Sequence, residues 1–358
     1  MKKSLLILFT CCIICSCGYT DKYQIEVGAI VPFTGYASLS GEMFYKGVQM
    51  AVNEINSEDS NKIKFYYEDC KSSPKDALTA YRKLESKGLK YFVGFGGQFV
   101  LGFASQTKNT NKVLFASGAA NDNLMSLTNR CLRFYPTIEV FTDKVRGFVV
   151  SGNYTNIAII YMQNEAYSKY AEVARQKLIK SDKKIVLMES YNPNNRDFRD
   201  ILNKIVQNNV DLIYFSGLGD GVAIFTKQLF DNPQTNNIPI IGDMNFSDGN
   251  NLEAIGEIKA PINAIDSYID SSFINKFESL YNQKPNAYSV YGYIIPFVLK
   301  ETIETLGDNC TTNEVYEYIR SCQLNTIAGP ISFNPETSEP NMELTIYTFG
   351  PTYNQPNK

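Results

Sequence analysis

The chain has 358 residues, 44% hydrophobic and 20% charged, with a net charge of -3. That is enough for two domains with a sizeable core and too apolar for a disordered chain. There is no basic stripe interleaved with aromatics of the kind that grips nucleic acid, and histidine is absent, which removes the commonest general base and the commonest metal ligand together.

In chain order, the first segment is a leader. Lys2 and Lys3 precede an apolar run over residues 5–14, which is too short to span a bilayer as a mature helix. The run ends in Ile14-Cys15-Ser16-Cys17-Gly18, which resembles the bacterial lipobox: a small residue followed by a cysteine that is lipidated and becomes the new N-terminus. An ordinary signal peptide containing cysteines is the alternative. Residues 1–16 then form the signal peptide, Cys17 the lipidation site, and residues 17–24 a tether to a soluble part held outside the cytoplasm on a bacterial membrane (periplasm or cell surface) by several acyl chains. With Cys17 modified, Cys70, Cys131, Cys310 and Cys322 remain. An exported compartment permits disulfides, and four cysteines allow three pairings. Cys310 and Cys322 flank a helical pattern that would separate them by roughly 15 Å, beyond the ~7 Å limit for a disulfide. No CxxC spacing among these four suggests zinc.

Beyond the leader, strand and helix patterns alternate. Ile25–Val31 is a short apolar run ended by Pro32 and Gly35, and it is followed by a helix whose apolar stripe is Phe44, Val48, Ala51, Val52 and Ile55. Ile63–Asp69 reads as a strand. Ser73-Pro74 then opens a helix to about Ser86, serine as cap and proline at the first position. Tyr91–Phe95 is a strand, 99–107 a helix, and 112–116 and 132–135 strands: one doubly wound unit. A second unit follows, with a helix at 141–150, strands at Asn156–Met162, 184–190, 211–216 and 239–243, and helices at 167–180, 196–207 and 220–229. Helices Ser271–Tyr281, Ala287–Leu306 and Thr312–Ser321 come next, and 342–349 reads as a last strand. The pattern gives an α/β fold of two doubly wound, Rossmann-like lobes without a long linker, with a cleft at the carboxyl ends of the strands. No GxSxG, P-loop or HExxH signature accompanies it, so an enzyme is not expected.

Several segments together resemble one family, the type I periplasmic binding proteins, specifically the leucine/isoleucine/valine- or amide-binding lipoproteins that serve ABC importers. The resemblance rests on Pro32-x-Thr34-Gly35, Gly41 before the helix, Gly47 and Ala51-Val52-Asn53-Glu54-Ile55-Asn56. It continues in Tyr67-Glu68-Asp69 with Ser73-Pro74-Lys75-Asp76-Ala77, in Val93-Gly94, in Ser117-Gly118-Ala119 and in a late turn, Gly329-Pro330-Ile331-Ser332-Phe333. It implies two lobes joined by three crossovers near 135–142, 263–267 and 339–342. Lobe 1 would be 25–140 plus 266–338, lobe 2 would be 141–265 plus 339–352, and 353–358 a tail. It also implies a monomer without cofactor or metal that captures a small ligand and presents it to an ABC permease. A ligand-sensing receptor, or a lipoprotein regulating an envelope enzyme, is the alternative on the same fold.

The resemblance points to the loops after the strands as ligand contacts. Thr34 and Tyr36 lie in the first. Gly96-Gly97-Gln98-Phe99 forms a glycine turn whose N–H groups at a helix start suit a carboxylate; its spacing does not fit a dinucleotide fingerprint. Ser117, Ala119 and Asn121 line the next turn. Relatives bind their amino acid here through backbone and hydroxyl groups, but this chain has Gln98–Phe99 and Ala120 where hydroxyls are usual, leaving backbone donors and Asn121 to substitute. In the second unit Tyr167 matches a turn whose aromatic covers the ligand, a surface tyrosine being the alternative. Leu218 faces the cleft, with Asp220 read as a helix cap. Asp243 is the ammonium partner, or else only stabilises its turn. The helical row Tyr288, Tyr291, Tyr293 and Phe297 reads as core.

Overall fold

The computed structural model describes residues 25–58, 62–121 and 123–351. The leader, Cys17, the tether and the tail lie outside them. The first half contains β1 (Ile25–Val31), α1 (Ser38–Glu58), β2 (Ile63–Asp69), α2 (Pro74–Glu85), β3 (Tyr91–Phe95), α3 (Gly97–Ala104), β4 (Val113–Ser117), α4 (Leu124–Leu127) and β5 (Cys131–Phe134). The second contains α5 (Ile138–Ser151), β6 (Asn156–Met162), α6 (Glu165–Ile179), β7 (Lys184–Tyr191), α7 (Arg199–Gln207), β8 (Leu212–Ser216), α8 (Asp220–Asp231), β9 (Ile240–Gly242), α9 (Gly249–Ile255) and β10 (Ile262–Ser267). The chain then runs through α10 (Ser271–Tyr281), α11 (Ala287–Leu306), α12 (Thr312–Ser321), β11 (Leu324–Thr326), β12 (Gly329–Phe333), β13 (Pro340–Asn341) and β14 (Leu344–Phe349).

Among the described residues the strands form a parallel sheet β2-β1-β3-β4-β5, a second sheet β14-β10-β9-β8-β6-β7 in which only β14 runs antiparallel, and a small antiparallel sheet β11-β12-β13. Both large sheets are buried on two faces, as parallel sheets require. In the first, Val27, Ala29 and Val31 pack against Phe44 and Val48 of α1 and Tyr291 and Ile295 of α11, while the other face packs Phe92 and Leu114 on Tyr81 of α2 and Phe103 of α3. In the second, alternate residues of β6 go to opposite cores, Ile157 and Ile159 with α5 and α6, Ala158 and Ile160 with α7 and α8.

The chain passes between the two large sheets three times, after β5, after β10 and after β13. The crossing expected near 263–267 comes directly after β10, so the expected lobe boundary at 265/266 falls inside that strand, which is buried along its whole length. Gly329–Phe333, read as a turn, is β12. Gly41 lies inside α1 rather than before it. Helix α5 begins at Ile138, because Thr137 caps it by accepting from the Val140 N–H at 3.3 Å. Helix α7 starts only at Arg199, where the Asp197 carboxylate accepts the Arg199 N–H at 3.1 Å. Asp220 is not the cap of α8: Gly219 holds that place, and Asp220 pairs with Arg196 at 2.9 Å on the surface. Helix α12 is unbroken between Cys310 and Cys322, and the four described cysteines are all free thiols. No described helix is long and apolar enough to cross a membrane.

Candidate ligand-binding cleft

A cavity lies where the carboxyl ends of the two large sheets face each other. From the first half its wall takes Tyr36, Ala37 and Ser40 at the start of α1, Phe95 to Phe99 after β3, and Gly118, Ala120 and Asn121 after β4. Tyr135 comes from the first crossing and Tyr288 from the start of α11. From the second half it takes Phe141 of α5, Asn164, Ala166, Tyr167 and Tyr170 around the start of α6, Leu218 after β8, and Asp243 after β9. Free space for water-sized groups is about 80 Å³; at ~10–15 Å³ per water this holds about six waters, so the cavity suits a compact ligand.

The halves touch around this space. Leu218 packs on the cores of both, and Met244 of the second half joins the core of the first, where the Tyr135 hydroxyl approaches its sulfur at 3.6 Å. On the first half, Gly96 precedes α3 with φ 91, a left-handed conformation that glycine enters without strain. The N–H groups of Gly97 and Gln98 open that helix and have no carbonyl a turn earlier to receive them. The Gln98 amide donates to the Tyr36 hydroxyl across the mouth.

On the second half the arrangement centres on Asp243. Its Oδ1 accepts from the Asn245 N–H at 3.0 Å and from Asn245 Nδ2 at 2.7 Å, and Nδ2 also donates to the Gly217 carbonyl at 3.0 Å. Among the described residues no lysine or arginine pairs with it. Burial pushes its carboxyl up to about 7, partly offset by bonds from Asn245 and the Gly217 N–H. Burial likewise raises the hydroxyls of Tyr135, Tyr167, Tyr170 and Tyr288, and the nearby Asp243 charge adds to each shift. These phenols stay neutral, and Tyr135 and Tyr288 stack at 6.5 Å with planes 7° apart. The described residues hold no cluster of metal-ligating side chains.

Seven of the ten residues singled out from sequence line this cavity: Tyr36, Gln98, Phe99, Asn121, Tyr167, Leu218 and Asp243. Three do not. Thr34 is turned to Asp69, its hydroxyl donating at 2.7 Å and its N–H at 3.3 Å, and so braces the β1 turn. Ser117 and Ala119 are fully buried behind the wall. Sequence reasoning missed Tyr135, Phe141 and Tyr170. The row Tyr288, Tyr291, Tyr293 and Phe297 packs in or against the core as expected; Tyr288 lines the cavity as well, and Tyr293 and Phe297 also border a separate groove.

A family model described as periplasmic binding protein matches residues 24–353. A Leu/Ile/Val-binding protein homolog 2 of Brucella abortus is 25% identical over 355 residues, covering 93% of this chain and 92% of the relative. Among solved structures, a solute binding protein of an ABC transporter from Rhodopseudomonas palustris, in complex with 3,4-dihydroxy benzoic acid, superposes with TM-score 0.82 at 16% identity over 90% of this chain and 92% of that one. A branched-chain amino acid transporter substrate binding protein from Streptococcus pneumoniae, in complex with isoleucine, superposes with TM-score 0.81 at 17% identity over 92% and 97%. The solved structures share the type I fold with this chain.

Proposed function

Because this chain belongs to the periplasmic binding protein family, we propose that it is an extracytoplasmic solute-binding lipoprotein that captures a small polar ligand, an amino acid, amide or related compound, and delivers it to an ABC importer. The observation that carries the reading is the cavity itself. Its walls come from both halves, so only a ligand touching both stabilises their closure, and binding energy becomes a shift in an open–closed equilibrium. A membrane permease could then recognise the closed form. Asp243 would receive an ammonium group, while Tyr36, Gln98, Phe99, Asn121, Tyr167 and Leu218 surround the rest. The protein would act as a monomer, with no catalysis and no cofactor. Thr34, Ser117 and Ala119 would support the wall from outside the cavity.

Two measurements test this. The purified protein, screened by thermal melting against amino acids, amides, short peptides, nucleosides and sugars, should gain about 2.7 kcal/mol from a true ligand at one hundred times its dissociation constant; a flat response across the panel removes the binding reading. The anchor is tested separately. Labelled palmitate should enter the wild type and be absent from Cys17→Ala, and equal labelling of both would exclude lipidation at Cys17.

A further inference from the structure

The cavity holds one formal charge. Among the described residues that line it, Asp243 is the only acid, and there is no lysine or arginine. Arg133, on β5 behind the wall, does not line the cavity. It is fully buried, with Nε 3.1 Å from Glu339 and Nη2 donating to the Asn121 carbonyl at 2.8 Å, while Nη1 has no hydrogen-bond partner. The rings of Tyr135, Tyr167, Tyr170 and Tyr288 stand near the Asp243 carboxylate. An acid among aromatic faces recognises an organic cation, the acid by charge and the rings by their negative faces.

The opposite wall offers an anion neutral donors but, among the described lining residues, no cation. Ser40 is the one aliphatic hydroxyl among the described lining residues. The Gln98 amide is engaged by Tyr36. Asn121 Oδ1 is buried without a hydrogen-bond partner beside Gly97, where a Cβ would meet it at 2.0 Å. The Gly97 and Gln98 N–H groups at the start of α3 can receive an acceptor, but no lysine or arginine stands among the described lining residues to balance a carboxylate there.

Resting on the reading of this cavity as the ligand site, we infer that the ligand is a compact amine of net charge +1 that carries no carboxylate. Such a ligand neutralises the buried Asp243 and leaves no charge unpaired. A zwitterionic α-amino acid leaves the Asp243 charge unbalanced in net terms, because its carboxylate meets no lysine or arginine among the described lining residues. An aromatic carboxylate adds a second negative charge to a site that already holds one.

The test is a calorimetric titration of the purified protein with matched pairs: phenylalanine against phenethylamine, leucine against 3-methylbutylamine, and benzoate against benzylamine. It is run at about pH 8, where the Asp243 carboxyl is ionised and the amines keep their charge. Each amine should bind at least roughly tenfold tighter than its carboxylate partner. Asp243→Asn, with circular dichroism matching the wild type, should abolish that preference. Equal or tighter binding of leucine, phenylalanine or benzoate overturns the inference while leaving the cleft as the ligand site. Amine binding that Asp243→Asn does not weaken overturns it too. No binding by any member of the panel overturns both this inference and the ligand-site reading on which it rests.

Discussion

At the residue scale, Asp243 illustrates how a carboxylate survives in an aromatic cavity. Asn245 supplies two hydrogen bonds, but no counter-charge is present among the described residues, so the proton is held up to about 7 against an ordinary 3.8. Asp266, fully buried under Ser247, is likewise pushed up to about 7 by burial. In both cases the folded protein binds the proton more tightly than the unfolded chain. Their stabilising contribution is complete below about pH 4 and is lost as pH rises through about 7. Carboxyls shifted the other way, such as Glu172, lowered to about 2 mainly by its bonds from Arg175, complete their change by about pH 5. The ligand-free protein should therefore melt at progressively lower temperature from about pH 5 to 7. Asp243→Asn should remove up to about 1.4 kcal/mol of that loss per pH unit, and affinity for an amine should rise over the same interval. Scanning calorimetry across the window checks the sign, and a free protein that gains stability there contradicts it. Asp243 was legible in sequence because an acid directly after a strand marks the cleft end. The second role of Tyr288 was not: helical spacing places it in the core, where it lies, but does not say which core residues also border ligand space.

At the element scale, helices α1 and α11 lie close enough that glycine is required on both. A Cβ at Gly47 would stand 1.9 Å from the Ser289 carbonyl oxygen, and one at Gly292 would stand 2.2 Å from that of Phe44. Backbone meets backbone there, so no side chain can give way. Gly292→Ala should cost about 1–3 kcal/mol through forced separation of the helices. Gly147→Ala, exposed in α5 with nothing within 4 Å of the added carbon, should instead gain about 0.5–1 kcal/mol. Urea melts of the two variants should move in opposite directions, and equal shifts would mean the close approach is absent. The alternating elements of both halves could be read from apolar runs and caps; Ser73, for example, accepts from the Asp76 N–H at 3.3 Å as its position suggests. Strand β10 could not, because its sequence INAIDS contains buried polar residues that look like a loop. Asn263 is satisfied by tertiary partners: its Nδ2 donates to the Ile240 carbonyl at 3.0 Å, and its Oδ1 accepts from Thr348 at 2.9 Å.

At the scale of the whole molecule, the Arg133–Glu339 pair ties the third crossing to the loop that carries Asn121 into the cavity wall. Arg133 is fully buried while the Glu339 side chain is 26% exposed. Glu339→Gln should then cost up to about 3 kcal/mol, less than a wholly buried pair. Because the pair sits at a passage between the sheets, the variant should also change the closed fraction, read as a change in small-angle scattering radius without ligand. A loss of stability with no change in that radius would confine the pair to a local structural role. Neither partner was singled out from sequence, since 206 positions separate them.

The order in which the sheets are covered has a consequence for biogenesis. The first sheet is written into residues 25–134, yet one of its faces is closed by α11, which ends only at Leu306. The second half, by contrast, is continuous from α5 to β10 and lacks only its edge strand β14. A chain emerging amino end first on the far side of a membrane thus begins one half, completes most of the other, and only then returns to finish the first. Throughout that interval the apolar faces of α1 and β1 wait for a partner more than two hundred residues away. Extracytoplasmic chaperones should engage this protein through its earliest segment, and it should be released from them only after α11 has arrived.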